Sequence, residues 1–161
     1  MDRDLVQIVD AALAGAVRLG GPWIACKPGC CECCRGEFPI SHADADRLRE
    51  GLGALDATDP ARAQRIRSRA ARDIEDDDPC PVLDPDTGTC DLYAWRPLTC
   101  RTFGPAIRWN GGAVGVCELC FVGATEAEIA ACAVNLELDE DDPESSDQTV
   151  GQALSALDFP D

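Results

Sequence analysis

The chain is short of the residues that most metal and phosphate sites use. It has one histidine, His42, and only one of its 14 basic residues is a lysine, Lys27. Paired histidines are therefore impossible, which removes any H-E-x-x-H zinc site, and no glycine-rich phosphate loop or nucleophile elbow occurs. The fragment Gly51-Leu52-Gly53 lacks a third glycine and a preceding strand, so it is no dinucleotide fingerprint. Aromatic residues make up only 5% of the chain. No stretch of about 18 apolar residues exists, which argues against a membrane-spanning helix. The first residues do not read as a secretory signal, because Asp2 and Asp4 come at once and the apolar positions are periodic. Bases are scarce overall. With 30 acids against 14 bases the net charge is −16. Such a surface repels phosphate backbones and disfavours general nucleic-acid binding.

Cysteine is what the chain has in excess, with 11 residues. An odd number cannot pair completely, and disulfides need an oxidising compartment. Without an export signal the expectation is a cytoplasmic protein with reduced thiols that serve as ligands. The densest stretch is Cys26–Cys34, C-K-P-G-C-C-E-C-C, in which five of nine residues are cysteine. One thiol can act as a small hydrophobe, but five in nine residues cannot all face a core.

The elements around this stretch can be read from pattern. Leu5, Ile8, Val9, Ala12, Leu13, Ala16 and Val17 recur at helical spacing, and Gly20-Gly21-Pro22 stops that helix. Pro28-Gly29 predicts a turn that lets Cys26 and Cys30 point at a common centre. Ser41 and Asp44 have capping-box spacing and predict a second helix with Leu48 and Leu52 inside, ended by Gly51 and Gly53. Asp59-Pro60 predicts a third helix burying Ala63, Ile66, Ala70 and Ile74 and ended by Glu75–Asp78 and Pro79. Its other face carries Arg62, Arg65, Arg67, Arg69 and Arg72, read as a solvated stripe paired with nearby acids. Asp84–Gly88 is the turn of a hairpin that places Cys80 beside Cys90. Pro97 opens a short helical turn carrying Cys100, and Asn110-Gly111 is a second hairpin turn that delivers Cys117 and Cys120. Thr125 and Glu128 cap a helix expected to bury Ile129, Cys132, Ala133 and Leu136. The whole reads as an α+β fold, a small single domain in which helices pack around an irregular β-hairpin region carrying the cysteines. The layout expected is a metal-binding domain over 1–138 with its cluster core at 26–120, an acidic linker at 139–149, and a short C-terminal helix within 150–161 built on Val150, Leu154 and Leu157.

Spacing carries the chemistry. Cys30-x-x-Cys33 and Cys117-x-x-Cys120 have the knuckle spacing by which one turn offers two thiolates to one metal. Cys80, Cys90 and Cys100 follow singly, ten residues apart. His42 reads as a surface residue, so the donor set is all sulfur, which suits zinc, copper(I) or iron–sulfur centres rather than magnesium or calcium. Cys132 reads as a core thiol and Cys31 as a spare or exchangeable one. Arg96 and Arg101 read as partners of acids or as charges that offset a thiolate cluster. Tyr93, Trp95 and Phe103 read as core around the site.

The stretch 26–34, C-P-V-L at 80–83 and C-D-L-Y-A-W-R-P-L-T-C-R-T-F at 90–103 together resemble the YkgJ-type cysteine-cluster family, whose members are described as chelating zinc or iron. The resemblance spans roughly residues 26–120. It implies that Cys26, Cys30, Cys33, Cys34, Cys80, Cys90, Cys100 and Cys117 are the family's cysteines. Cys120, from the second knuckle, completes the candidate ligand set, and Cys31 is an insertion within the pattern. The expected function is metal binding through thiolates, by zinc or by iron, with no clear catalytic apparatus. Adjacent Cys33 and Cys34 do not both suit one mononuclear ion, which favours an iron–sulfur or binuclear centre. The alternatives are a redox or group-transfer enzyme, or a subunit of one, using an Fe–S centre, and a thiol-based redox sensor. The metal ion is the one partner the residues name; no protein partner is indicated.

Overall fold

The computed structural model describes residues 3–137 and 148–155. In chain order the elements are α1 (Arg3–Gly20), α2 (His42–Thr58), α3 (Pro60–Ala70), β1 (Leu83–Asp84), β2 (Thr89–Cys90), α4 (Leu98–Thr102), β3 (Ile107–Trp109), β4 (Val114–Gly115), α5 (Glu126–Cys132), β5 (Val134–Leu136) and α6 (Val150–Ser155). This is an α+β fold. Short 3₁₀ turns occupy Gly21–Trp23 and Tyr93–Trp95. Among the described residues no helix is long and apolar enough to cross a membrane. The predicted acidic linker at 139–149 lies outside the described residues except for Gln148 and Thr149, and so does Leu157.

The described chain forms two compact units, one from residues 3–27 and 98–137, the other from 28–97 and 148–155. In the first, α1 buries Val9 and Ala16 against Ile107 and Leu136, with Leu5, Ala12, Leu98 and Val134 around them. The apolar stripe of α1 is narrower than its sequence suggests, because Ile8 and Val17 are 57% and 42% exposed. The sheet has the order β4-β3-β5. Asn110 and Gly111 both take positive φ, 43° and 71°, as the two-residue turn between β3 and β4 requires.

The helix expected to run through Leu136 stops at Cys132. Ala133 is extended, with φ −73° and ψ 134°, and Val134–Leu136 pairs in parallel with Ile107–Trp109. The Val134 amide donates to the Ala106 carbonyl at 3.1 Å, and Leu136 becomes 3% exposed in the α1 core. A strand satisfies these backbone groups through β3 while still burying Leu136.

The second unit is a helical core of α2, α3 and α6 around Leu48, Leu52, Ile66 and Leu154, with Val82, Leu83 and Leu92 packed into it. Ser41 caps α2 by accepting from the Asp44 amide at 3.0 Å, and Asp59 caps α3 by accepting from the Arg62 amide at 2.9 Å. α3 ends earlier than predicted, at Ala70, with Ala71 as its C-cap. Ile74 therefore lies beyond the helix, where it approaches Gly151 of α6.

The glycines of α2 do not end it. The helix runs through both to Thr58, and Gly51 is there for packing. A Cβ on Gly51 would stand 2.6 Å from Cγ of Trp95 and 2.9 Å from its Cβ, whereas one on Gly53 would meet nothing within 4 Å. Two substitutions on one helix should then have opposite signs. Gly53→Ala should stabilise by up to about 1 kcal/mol through helix propensity. Gly51→Ala should destabilise by roughly 1–3 kcal/mol because Trp95 must move. Urea midpoints of the two variants check this, and a stabilised Gly51→Ala would remove the packing role.

Candidate metal centre

The thiols of the second unit come from three segments. The first is a turn: the Cys34 amide donates to the Cys31 carbonyl at 2.9 Å. Glu32 and Cys33 occupy its exposed corners, while Cys31 and Cys34 are half-buried at its ends. The second segment is docked by backbone pairing. The Cys80 amide donates to the Cys34 carbonyl at 2.9 Å and the Gly36 amide to the Asp78 carbonyl at 2.8 Å. Gly36 makes this approach possible with φ 69°, since a Cβ there would meet the Asp76 carbonyl oxygen at 2.7 Å. The third is β2. The hairpin pairs Leu83 with Cys90, and Cys80 stands one turn before β1, its carbonyl accepting from the Leu83 amide at 2.9 Å, close enough to Cys90 to feel its charge. Cys31, Cys34 and Cys90 all pack against the core that contains Cys80.

Burial and mutual proximity set the protonation of these thiols. Burial pushes the Cys80 thiol up to about 11, and charge at Cys90 and at Cys33 pushes the same way against the Val82 amide and Arg69. Burial also raises Cys90, with Asp91 adding to the rise and the Leu92 amide and Arg96 opposing it. Cys33 is raised most strongly, first by its hydrogen bond with Cys34 and then by burial.

Of the arginine stripe expected to pair with acids, Arg62, Arg67 and Arg69 do so. Arg62 Nε donates to Asp91 Oδ1 at 2.7 Å. Arg69 donates to the Pro81 carbonyl at 2.7 Å and to Asp91 Oδ2 at 3.3 Å. Arg67 donates to Asp56 at 2.9 Å. The aromatics depart from expectation. Tyr93 and Phe103 are 62% and 49% exposed, and only Trp95 of the three is half-buried. Tyr93 sits on a short surface turn with the Arg96 guanidinium 3.9 Å above its ring, a cation–π contact that does not need burial. Phe103 lines an open cavity of about 390 Å³ in the first unit with Thr99, Thr102, Gly104, Trp109, Gly115 and Val116.

In the first unit the thiols gather around Gly104, which has φ 124°. A Cβ on it would stand 3.8 Å from both Cβ and Sγ of Cys26, and its carbonyl accepts from the Cys117 amide at 3.1 Å. The Cys120 amide donates to the Cys117 carbonyl at 2.9 Å, and Cys120 is buried with Ala106 and Phe121. Cys100 is exposed on α4, one turn before Gly104. The Gly104-Pro105 pair is visible in the sequence as a helix stop, but its second role as the spacer between Cys26 and Cys117 is not. Arg101 is 3% exposed, and its Nη1 donates to both carboxylate oxygens of Asp10 at 2.8 Å. Cys132 is half-buried rather than buried, and its thiol donates to the Leu19 carbonyl at 3.3 Å. His42 is exposed.

None of the 11 cysteines, all of which lie among the described residues, is in a disulfide. Among the described residues no three His, Cys, Asp or Glu side chains stand together at metal-ligand geometry. Their chemistry still fits a soft metal: the donors are all sulfur, and several have carbonyl, amide and guanidinium neighbours. The predicted ligands divide between the units, with Cys26, Cys100, Cys117 and Cys120 in the first and Cys30, Cys33, Cys34, Cys80 and Cys90 in the second.

The raised thiols give the metal-free protein a pH dependence of definite sign. A group whose folded pKa lies above its unfolded value stabilises the fold at low pH, and that contribution is lost as pH rises from the unfolded towards the folded value. For Cys80 the window runs from the ordinary 9.0 to about 11. From this residue alone, reduced metal-free protein should lose on the order of 2 kcal/mol between about pH 8 and about pH 10.5. Denaturant unfolding in reductant and chelator measures it, and stability that rises over that window would contradict the burial of Cys80. A metal that holds thiolates should flatten the loss.

Residues 25–134 match the model of the CxxCxxCC family, described as "Putative zinc- or iron-chelating domain". No curated protein and no solved structure matches the chain. The matched span contains both thiol groups and covers more than half of the 161 residues, and the chain belongs to this cysteine-cluster family of zinc- or iron-chelating domains.

Proposed function

We propose that this protein is a metal-binding module whose thiolates hold zinc or iron and which has no catalytic apparatus of its own. The ligands are drawn from Cys26, Cys30, Cys33, Cys34, Cys80, Cys90, Cys100, Cys117 and Cys120. The observation that carries this reading is that Cys34, Cys80 and Cys90, from three segments, pack in one core, where charge at Cys90 and at Cys33 opposes charge at Cys80. A core that needed only apolar filling would not collect thiols this way. An ion of opposite charge turns that mutual repulsion into ligation, and it does so by displacing protons.

Between the metals we favour an iron–sulfur centre. Cys33 and Cys34 are adjacent and hydrogen-bonded to each other, an arrangement better suited to two metal atoms than to one. A bound cluster of this kind would supply electron transfer, and a bound zinc would supply structural cross-linking. The chain's contribution is the same in either case. It positions sulfur donors on a turn, a docked segment and a short strand, and it places Arg69 and Arg96 where their charge lowers the cost of ionising Cys80 and Cys90.

Metal analysis with an optical spectrum, on protein purified without oxygen, tests the proposal. Iron with acid-labile sulfide and visible charge-transfer absorption is expected. Colourless protein with stoichiometric zinc would retain metal binding and overturn the preference for iron–sulfur. Absence of any bound metal, with none taken up on reconstitution, would overturn the function. Substitution separates ligands from packing thiols. Cys100→Ser should lose metal, whereas Cys132→Ser, whose thiol is engaged by the Leu19 carbonyl, should keep nearly all of it. Equal loss from both would discredit the ligand set.

A further inference from the structure

We infer that Cys31, the residue outside the family's cysteine pattern, is itself a metal ligand, and that Cys31, Cys34, Cys80 and Cys90 form a four-thiol centre within the second unit. The inference rests on the metal-binding reading above and adds a ligand and a grouping that the spacing alone did not give.

The turn at 31–34 is the basis. A hydrogen bond from the Cys34 amide to the Cys31 carbonyl, 2.9 Å, brings residues i and i+3 of a tight turn to the same side and leaves the two central residues at its tip. Burial follows that geometry. Glu32 and Cys33 at the tip are exposed, and Cys31 and Cys34 at the base are half-buried. Cys31-x-x-Cys34 also has knuckle spacing, overlapping Cys30-x-x-Cys33 and shifted from it by one residue. Of the two registers, it is the Cys31 and Cys34 side chains that pack against the core of the second unit, together with Cys90 and the buried Cys80. The pairing of the Cys80 amide with the Cys34 carbonyl then fixes the turn beside the third sulfur. A knuckle pair and two single cysteines, Cys80 just before the hairpin and Cys90 on β2, make up a Cys₄ set for one soft ion. Cys30 and Cys33 remain for a second metal atom. The four thiols do not stand at ligand geometry among the described residues, so binding includes rotation of their side chains.

A protection experiment on the unaltered full-length chain tests this without depending on the folding of a variant. Reduced protein is alkylated with and without zinc, and each cysteine is scored by fragment mass spectrometry. A ligated thiolate is no longer a free nucleophile, so Cys31 should react roughly tenfold more slowly with zinc, in step with Cys34, Cys80 and Cys90. Unchanged Cys31 reactivity while Cys34, Cys80 and Cys90 are protected overturns the inference and leaves metal binding intact. No zinc-dependent protection at any cysteine overturns the inference, and the metal analysis of the purified protein then decides the function separately. Cobalt(II) titration gives a second measure. Cys31→Ser should lower the thiolate-to-cobalt charge-transfer intensity as much as Cys34→Ser does, and a spectrum matching the unaltered protein would overturn the assignment.

Discussion

The hydrogen bond from the Cys80 amide to the Cys34 carbonyl is the constraint on which the sulfur site of the second unit depends. It ties a cysteine turn to a segment more than forty residues away. Its neighbour, the Gly36–Asp78 pair, extends the contact into a short antiparallel match, and Arg35 bridges to Pro79 within it. Everything on either side is anchored to the helical core: Ile40 and Ala45 lead into α2, and Val82 and Leu83 lead into β1. The helices therefore act as a frame that sets where two loop segments meet. Short irregular segments can be held this way because their backbone groups pair with each other instead of with a long ladder.

Much of this frame was legible because it rests on local rules. Ser41, Asp59 and Thr125 cap the helices they were expected to cap, and Asn110-Gly111 turns the hairpin it was expected to turn. What was not legible is tertiary. Gly51 looks like a stop signal in the sequence and is a contact with Trp95 in the fold, and nothing within α2 distinguishes the two. Leu136 satisfies a helical pattern with Ile129, yet the free edge of β3 captures it as a strand. At the site, the sequence located the thiols and the fold showed which face the core. Period and spacing cannot choose between Cys30-x-x-Cys33 and Cys31-x-x-Cys34, because the choice is made by which residues stand at the base of a turn. Tyr93 and Phe103 were expected in the core around the site, but Tyr93 finds its partner in Arg96 at the surface.

The two thiol groups are built differently. In the second unit the sulfurs sit against a helical core, and burial is the first cause of the raised Cys80 and Cys90. In the first unit Gly104 is the pivot, with Cys26 against its open face and Cys117 bonded to its carbonyl. A glycine suits φ 124°, a backbone conformation in which a side chain would be strained. The neighbouring Arg101 is committed to Asp10, so the cation nearest in sequence to Cys100 serves to anchor α4 to α1.

Two arginines put positive charge beside sulfurs of the second unit while their guanidinium groups are held elsewhere. Arg69 uses separate nitrogens for separate tasks. One donates to the Pro81 carbonyl and another to Asp91, while the delocalised charge still lowers Cys80. Arg96 does the same from the other side, bonded to the Tyr93 carbonyl and stacked on its ring while its charge lowers Cys90. A planar guanidinium can be fixed by neutral acceptors and still act on a neighbour through its field, whereas a point charge cannot easily do both. Asp91 belongs to the same device. Its carboxylate, with a side chain only 2% exposed, is paired with Arg62 and Arg69 together, and what remains of its charge pushes Cys90 up.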